Sequence, residues 1–457
     1  MITFLSLVLY CEKKYGTRRE LQDFSQKKAI PPPVWAKQGI IYQVFPRVFT
    51  HEGDFGALRQ KLDYIQQLGV KILWLMPIYL IGEKDRKGTI GSPFSVKNFR
   101  KINPDYGSEE DFKNLVNEIH QRNMRVIIGI VPNHSSNDNN LMKDHPSWFM
   151  QDSLGNFTRE VGGWSDITDF NYENPEMRQY MKETLIYWVK EFDVDGFRCD
   201  VAGMVPYDFW NESLKSLREV KSNIFLLAEW EDPKLLMQGF NSDYDWTLYH
   251  LLKDIREGKK KTAEAISLIQ GKDSRYTQNS LPMRFLENHD EQRSLHVFGK
   301  EAVEAYATFI FMVPGIPLIY AGQEIGEERK PSLFEKGELN WTEADSSLIK
   351  MYQSLIRLRK RYSCFTNGTF SPLQTVTQKG SAGAFLREDE HSMALVICNL
   401  NSDVAEKVTL VLHGALIDRL KKVELRNFKN SEDAISLTNF IIDQLKPFST
   451  LVYLAEK

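Results

Sequence analysis

The segment "GFRCDV", residues 196–201, sets Arg198 and Asp200 two positions apart at the end of a run that otherwise reads as buried strand. Taking either charge out of water is costly, so the pair needs a reason to be there. Alternation along a strand points both side chains to one face. Arg198 beside it favours the ionised form of Asp200, and an ionised, oriented carboxylate is a nucleophile toward an electron-poor carbon. Glu229 emerges from the apolar "FLLAEW" next to Trp230, where desolvation favours the protonated acid. One ionised and one protonated carboxyl group make the set that opens a glycosidic bond with retention of configuration. "PNH" adds Asn133 and His134, and "FLENHD" adds His289 and Asp290. Taken singly, each has an ordinary structural explanation: an ion pair, a loop start, a cap or a polar turn.

The elements that would carry these residues form a series. "GIIYQVFPRVF", "VKILWLMPI", "MRVIIGIVPNH", "DGFRCDVA", "NIFLLAEW", part of "SDYDWTLYHLL", "PMRFLENHD" and "GIPLIYAGQE" read as eight strands. Amphipathic stretches such as "ALRQKLDYIQQLG", "SEEDFKNLVNEIHQRN" and "NPEMRQYMKETLIYWVKEF" separate them with helical spacing. Eight strand-then-helix units imply an α/β fold, an eight-stranded parallel (TIM) barrel over 35–365 with its helices outside. The candidate residues then fall on strand ends facing one mouth, where such barrels place their chemistry. Residues 133–171, rich in Asn, Asp, Ser and Gly, are too long for a plain connection and read as a short inserted domain over that mouth. From 366 to 457, runs such as "MALVICNLNSD" and "FSTLVYLAEK" predict a C-terminal antiparallel β-sandwich.

With 42% hydrophobic and 26% charged residues in 457, the chain can bury a large core. A net charge of -3 with both signs interspersed gives no reason to expect nucleic acid as a partner. Four widely spaced cysteines with no CxxC argue against a zinc site or a disulfide framework. "MITFLSLVLYC" is too short to span a membrane. Residues 1–34 read as a leader and linker, with Cys11 placed as the lipidated cysteine of a bacterial lipoprotein would be. That predicts export to the periplasm or cell surface; a non-functional leader would leave the chain cytoplasmic.

Together "GVKILWLMPI", "IVPNH", "GFRCD", "LLAEW", "FLENHD" and "GIPLIYAGQE", in that order, resemble the α-amylase superfamily of glycoside hydrolases, from about residue 38 onward. The resemblance implies cleavage of α-glucosidic bonds in starch, maltooligosaccharides or cyclodextrins through a covalent glycosyl-enzyme. It implies Asp200 as nucleophile, Glu229 as general acid/base and Asp290 as the third carboxylate. Arg198 would orient the nucleophile, while His134, His289 and Phe94 would line the cleavage subsite. No cofactor is implied as a requirement. Calcium is a candidate through Asn133, although its other ligands are not apparent.

The chain also departs from the family pattern. Gly129 and Asn98 stand where aspartates are usual, Phe94 replaces a stacking tyrosine, and "VAGM" after Asp200 lacks a Lys-His pair. Two alternatives follow: transglycosylation or isomerisation on the same scaffold, or a degenerate barrel that binds glucan without turnover.

Overall fold

Apolar strands separated by amphipathic helices can bury both strand faces only in a parallel sheet covered by those helices. The computed structural model describes residues 23–273, 276–377, 380–412, 417, 425–429, 434–435 and 441–457. Cys11 and most of the expected leader lie outside these residues. The eight barrel strands are, in order, Ile41–Val44, Ile72–Leu75, Arg125–Ile130, Gly196–Cys199, Phe225–Ala228, Ser242–Asp243, Met283–Arg284 and Ile316–Tyr320. They pair in parallel as sixth, fifth, fourth, third, second, first, eighth, seventh. A parallel bridge between Tyr244 and Met283 joins the two ends of that order. The ring is therefore closed, and the fifth strand stands across it from the first.

Strand alternation sorts the core into two. Ile41, Ile72, Trp74, Ile127, Phe225, Leu227, Ile316 and Leu318 pack together inside the barrel. Their neighbours Tyr42, Leu73, Val126, Leu226 and Ile319 pack outward with helix residues such as Leu62, Leu115, Trp188 and Leu214. Local signals fix the helix ends. Ser108 and Asp111 form a reciprocal capping box at the start of Glu109–Gln121. Asn174 caps Pro175–Phe192, whose first residue is the proline that this position tolerates.

Two expected elements differ. The first strand stops at Val44, and Pro46–Phe49 makes a helical turn instead of continuing it. Pro46 has no N–H for a ladder and a φ suited to a helix start. The helix expected over "ALRQKLDYIQQLG" is split at Lys61 into Phe55–Gln60 and Leu62–Leu68.

The insert is a folded excursion rather than an open loop. His134–Ser136 pairs antiparallel with Ile167–Asp169, and short helical turns at Asn140–Met142 and Pro146–Trp148 fill the space between. In the C-terminal module, Thr369–Val376 changes partner midway, pairing first with Ala382–Glu388 and then with Ala405–Val411. Ala384, Leu386, Leu395, Ile397, Val408, Leu410 and Leu445 share one core between the halves, which makes the module a sandwich.

Candidate active site

Arg198 is 1% exposed and stands at the centre of the mouth. Its Nη1 donates to Asp200 Oδ1 at 2.5 Å, its Nη2 pairs with Glu229 Oε1, and its Nε donates to the Tyr244 hydroxyl at 3.2 Å. Rings of Trp74, Phe94 and Tyr244 surround the guanidinium, with centroids 5.5, 5.7 and 5.8 Å from Cζ. Such faces stabilise a cation in a dry setting.

The strands position the two carboxyl groups by their last rungs. The Asp200 N–H donates to Ile130 O at 2.9 Å, and the Glu229 N–H to Cys199 O at 3.0 Å. Immediately afterwards the chain kinks: Val201 adopts φ +35°, a left-handed conformation that a β-branched residue rarely takes. Strain of this kind costs about 1–3 kcal/mol. Here the kinked residue directs its N–H to Glu229 Oε2 at 2.7 Å, so both Glu229 oxygens have partners.

Burial pushes the Glu229 carboxyl well above its ordinary pKa; Arg198 opposes the shift, while Asp200 and Asp290 add to it. Burial also holds His289 well below the ordinary histidine pKa, leaving the ring neutral. The Gln43 amide nitrogen lies 2.8 Å from His289 Nδ1, and His289 Nε2 lies 3.3 Å from Asp290 Oδ2. Phe94 stacks on the same ring at 5.5 Å and 23°. The Asp290 side chain is 40% exposed, but desolvation still raises its pKa, against Arg198 and Lys330. Lys330 donates its ammonium to the Asp290 carbonyl.

Arg198, Asp200, Glu229, His289, Asp290 and Phe94 therefore meet as expected. His134 lies at the foot of the insert with its ring 5.3 Å from that of Trp164. Tyr244, Trp74, Gln43 and Lys330 were not among the expected residues. The signal for Gln43 was present, as a polar residue inside an apolar strand in "IYQV".

The candidate metal ligand Asn133 is buried beside Asp169. The Asn133 amide nitrogen faces Asp169 Oδ1 at 3.5 Å, and the other Asp169 oxygen accepts the Glu160 N–H at 2.7 Å. Among the described residues no three His, Cys, Asp or Glu side chains converge on one point.

A closed eight-fold β/α barrel with paired carboxylates at the C-terminal ends of adjacent strands defines a class of glycoside hydrolases. Residues 36–153 and 143–341 match the family model "Alpha amylase, catalytic domain". The chain belongs to the alpha-amylase family and is a glycoside hydrolase. It resembles the solved structure of a noncanonic maltogenic alpha-amylase, AmyB, from Thermotoga neapolitana. The two are 33% identical with a TM-score of 0.83, over 92% of this chain and 98% of that one. An alpha-amylase structure from Lactobacillus plantarum is similar at 32% identity and a TM-score of 0.81, over 92% and 99%. A cyclomaltodextrinase from Bacillus sp. is 26% identical over 433 residues, 84% of this chain and 76% of its own length.

Proposed function

We propose that this enzyme cleaves α-glucosidic bonds in maltooligosaccharides, starch or cyclodextrins with retention of configuration. An Asp200 oxygen attacks the anomeric carbon as Glu229 protonates the departing glycosidic oxygen. The Glu229 carboxylate then takes a proton from water, which attacks the same carbon and releases Asp200. Arg198 orients both groups; Asp290, His289, Phe94 and His134 hold the sugar whose bond is cut.

One arrangement carries this assignment: a single buried guanidinium is shared by Asp200 and Glu229, while burial favours protonated Glu229. Before attack, Arg198 balances ionised Asp200. Once Asp200 is esterified, it balances the Glu229 carboxylate that has given up its proton. Arg198 thus faces one ionised partner of this pair at each stage, which avoids an unpaired charge between them in a dry pocket. The similarity to a maltogenic alpha-amylase and a cyclomaltodextrinase supports an α-glucan substrate.

Proton NMR of maltoheptaose during turnover tests the proposal. New reducing ends emerge first as the α-anomer, and Glu229→Gln slows their appearance by roughly 10²–10⁴. Initial β-anomer, or turnover by the variant near the parent rate, would sink it. Export with a lipid on Cys11 belongs to the same proposal, supported by the apolar run before that cysteine. Labelled palmitate would be incorporated by the wild-type chain and not by Cys11→Ser.

A further inference from the structure

Lys272 is a buried ammonium that the mechanism above does not use. It lies in the last turn of the helix Thr262–Asp273 and is 8% exposed. Its Nζ donates to Glu231 Oε1 at 2.9 Å and to Asp245 Oδ1 at 3.0 Å. Glu231 stands two residues past Glu229, and Asp245 one residue past Tyr244. The ammonium therefore ties the chain leaving the fifth strand to the chain leaving the sixth. A cation this far out of water is kept charged by its partners, and the Tyr276 ring adds a third, 4.6 Å from Nζ.

Both tied segments have little room to shift. The other Glu231 oxygen accepts the Thr247 N–H at 2.9 Å, and the Trp230 carbonyl accepts the Tyr244 N–H at 3.0 Å. A β-carbon at Gly203, three residues past Asp200, would fall 2.2 Å from Trp230 Cε2, so the Trp230 ring fills that space. Asp245 Oδ2 pairs with Arg284 of the seventh strand. The helix that delivers Lys272 is itself held at its far end by the C-terminal module. Thr262 Oγ1 donates to Asn401 Oδ1 at 3.0 Å and accepts the Leu400 N–H at 2.9 Å. A β-carbon at Gly383 would fall 2.5 Å from Ile266 Cδ1.

The tie bears on the acid because proton transfer works only within hydrogen-bond reach. Glu229 leaves its strand with Trp230 and Glu231 directly behind it. Without the ammonium, the largely buried Glu231 carboxylate loses its ion pair and turns toward water. The backbone that carries Glu229 moves with it.

Resting on the assignment of Glu229 as the acid, we infer that Lys272 is a positioning residue for it. By holding Glu231 against Asp245, its ammonium keeps the Glu229 carboxyl within reach of the departing glycosidic oxygen. Lys272 acts through Glu231 and not on the sugar. Its loss weakens proton donation and spares the attack by Asp200.

Two substrates separate those steps. The oxygen leaving maltoheptaose needs a proton, whereas the fluoride leaving α-maltosyl fluoride does not. In both, kcat/KM reports the barrier from free enzyme and substrate. Lys272→Met lowers kcat/KM on maltoheptaose roughly ten- to a hundredfold, as misplacing a reacting group does, and leaves it near the parent value on the fluoride. Glu231→Gln keeps the shape of the side chain and removes its charge. It shows the same contrast to a smaller degree, and it carries the test if Lys272→Met does not fold. Equal losses on both substrates, or no loss on maltoheptaose, would overturn the inference. Glu229→Gln, run alongside, shows the contrast in its strongest form. If it does and the other variants do not, the inference alone falls; if Glu229→Gln loses both substrates alike, the acid assignment falls and the inference with it.

Discussion

A β-carbon on Gly129 would lie 2.9 Å from Pro77 Cδ and 3.1 Å from its nitrogen. Pro77 follows the second strand, so the third strand can sit against it only without a side chain at that point. Gly129 is also in register with Arg198 on the fourth strand. Any side chain at position 129 would therefore press on Pro77. Gly129→Asp should destabilise the fold by roughly 1–3 kcal/mol and draw the guanidinium from Asp200, lowering turnover. Urea unfolding and kcat together check this. A variant as stable and as active as the parent would contradict it.

Glu229 sets the alkaline side of the activity profile. Its raised pKa keeps the acid protonated, and activity is lost as pH rises through that value. Glu229→Gln should lower kcat on maltoheptaose by roughly 10²–10⁴ while the sugar still binds. Asp290 is one of the anions that raise the Glu229 pKa. In Asp290→Asn the residual activity should therefore lose its alkaline limb at lower pH than in the parent. A profile of kcat/KM against pH reads this directly; an unmoved limb would count against Glu229 as the acid.

Asp243 makes stability depend on pH. Burial pushes its carboxyl up to about 7, against Lys272, Tyr276 and Arg284 and with Glu231. Its unfolded value is about 3.9. The folded-state pKa is the higher one, so its contribution is fully present below about pH 4 and is lost as pH rises through 7. Asp243→Asn should flatten the fall in stability between those limits by up to about 4 kcal/mol, given about 1.4 kcal/mol per pKa unit. Urea midpoints at pH 5 and pH 7.5 measure the slope. An identical slope in parent and variant would refute the assignment.

Lys330 should act through Asp290. Its ammonium fixes the Asp290 carbonyl and so the direction of the side chain that meets the sugar. Lys330→Met should lower kcat/KM roughly ten- to a hundredfold, the scale of a small misplacement at a reacting centre. Lys330→Arg keeps a donor and should recover most of that loss. Melting temperatures near the parent value in both variants would separate positioning from general damage; an equal loss in both would argue against the role.

The barrel could be read from the chain because most strands are apolar runs and helices such as Glu109–Gln121 and Pro175–Phe192 carry their own caps, at Ser108 and Asn174. The carboxylates could be read because charges at strand ends are conspicuous among apolar neighbours. What escaped was placed by long-range packing. Lys330 reaches Asp290 across 40 positions, and nothing near it in sequence marks that contact. The close approach of Gly129 to Pro77 shows only once the second and third strands lie side by side. The short sixth strand hid Tyr244, since two paired residues leave too little alternation to show which side faces inward.

The ring is stitched unevenly. The first five strands pair over four rungs at each junction, whereas the sixth and seventh meet through the single Tyr244–Met283 bridge. Ion pairs of Asp245 with Arg284 and Lys272 reinforce that junction from outside. A ring under thermal load parts where it has fewest stitches, and Tyr244 sits at that place with its hydroxyl on Arg198. Heat should therefore disarm this enzyme before it unfolds it: the cation between the two carboxyl groups loses its third anchor while most of the barrel is still intact.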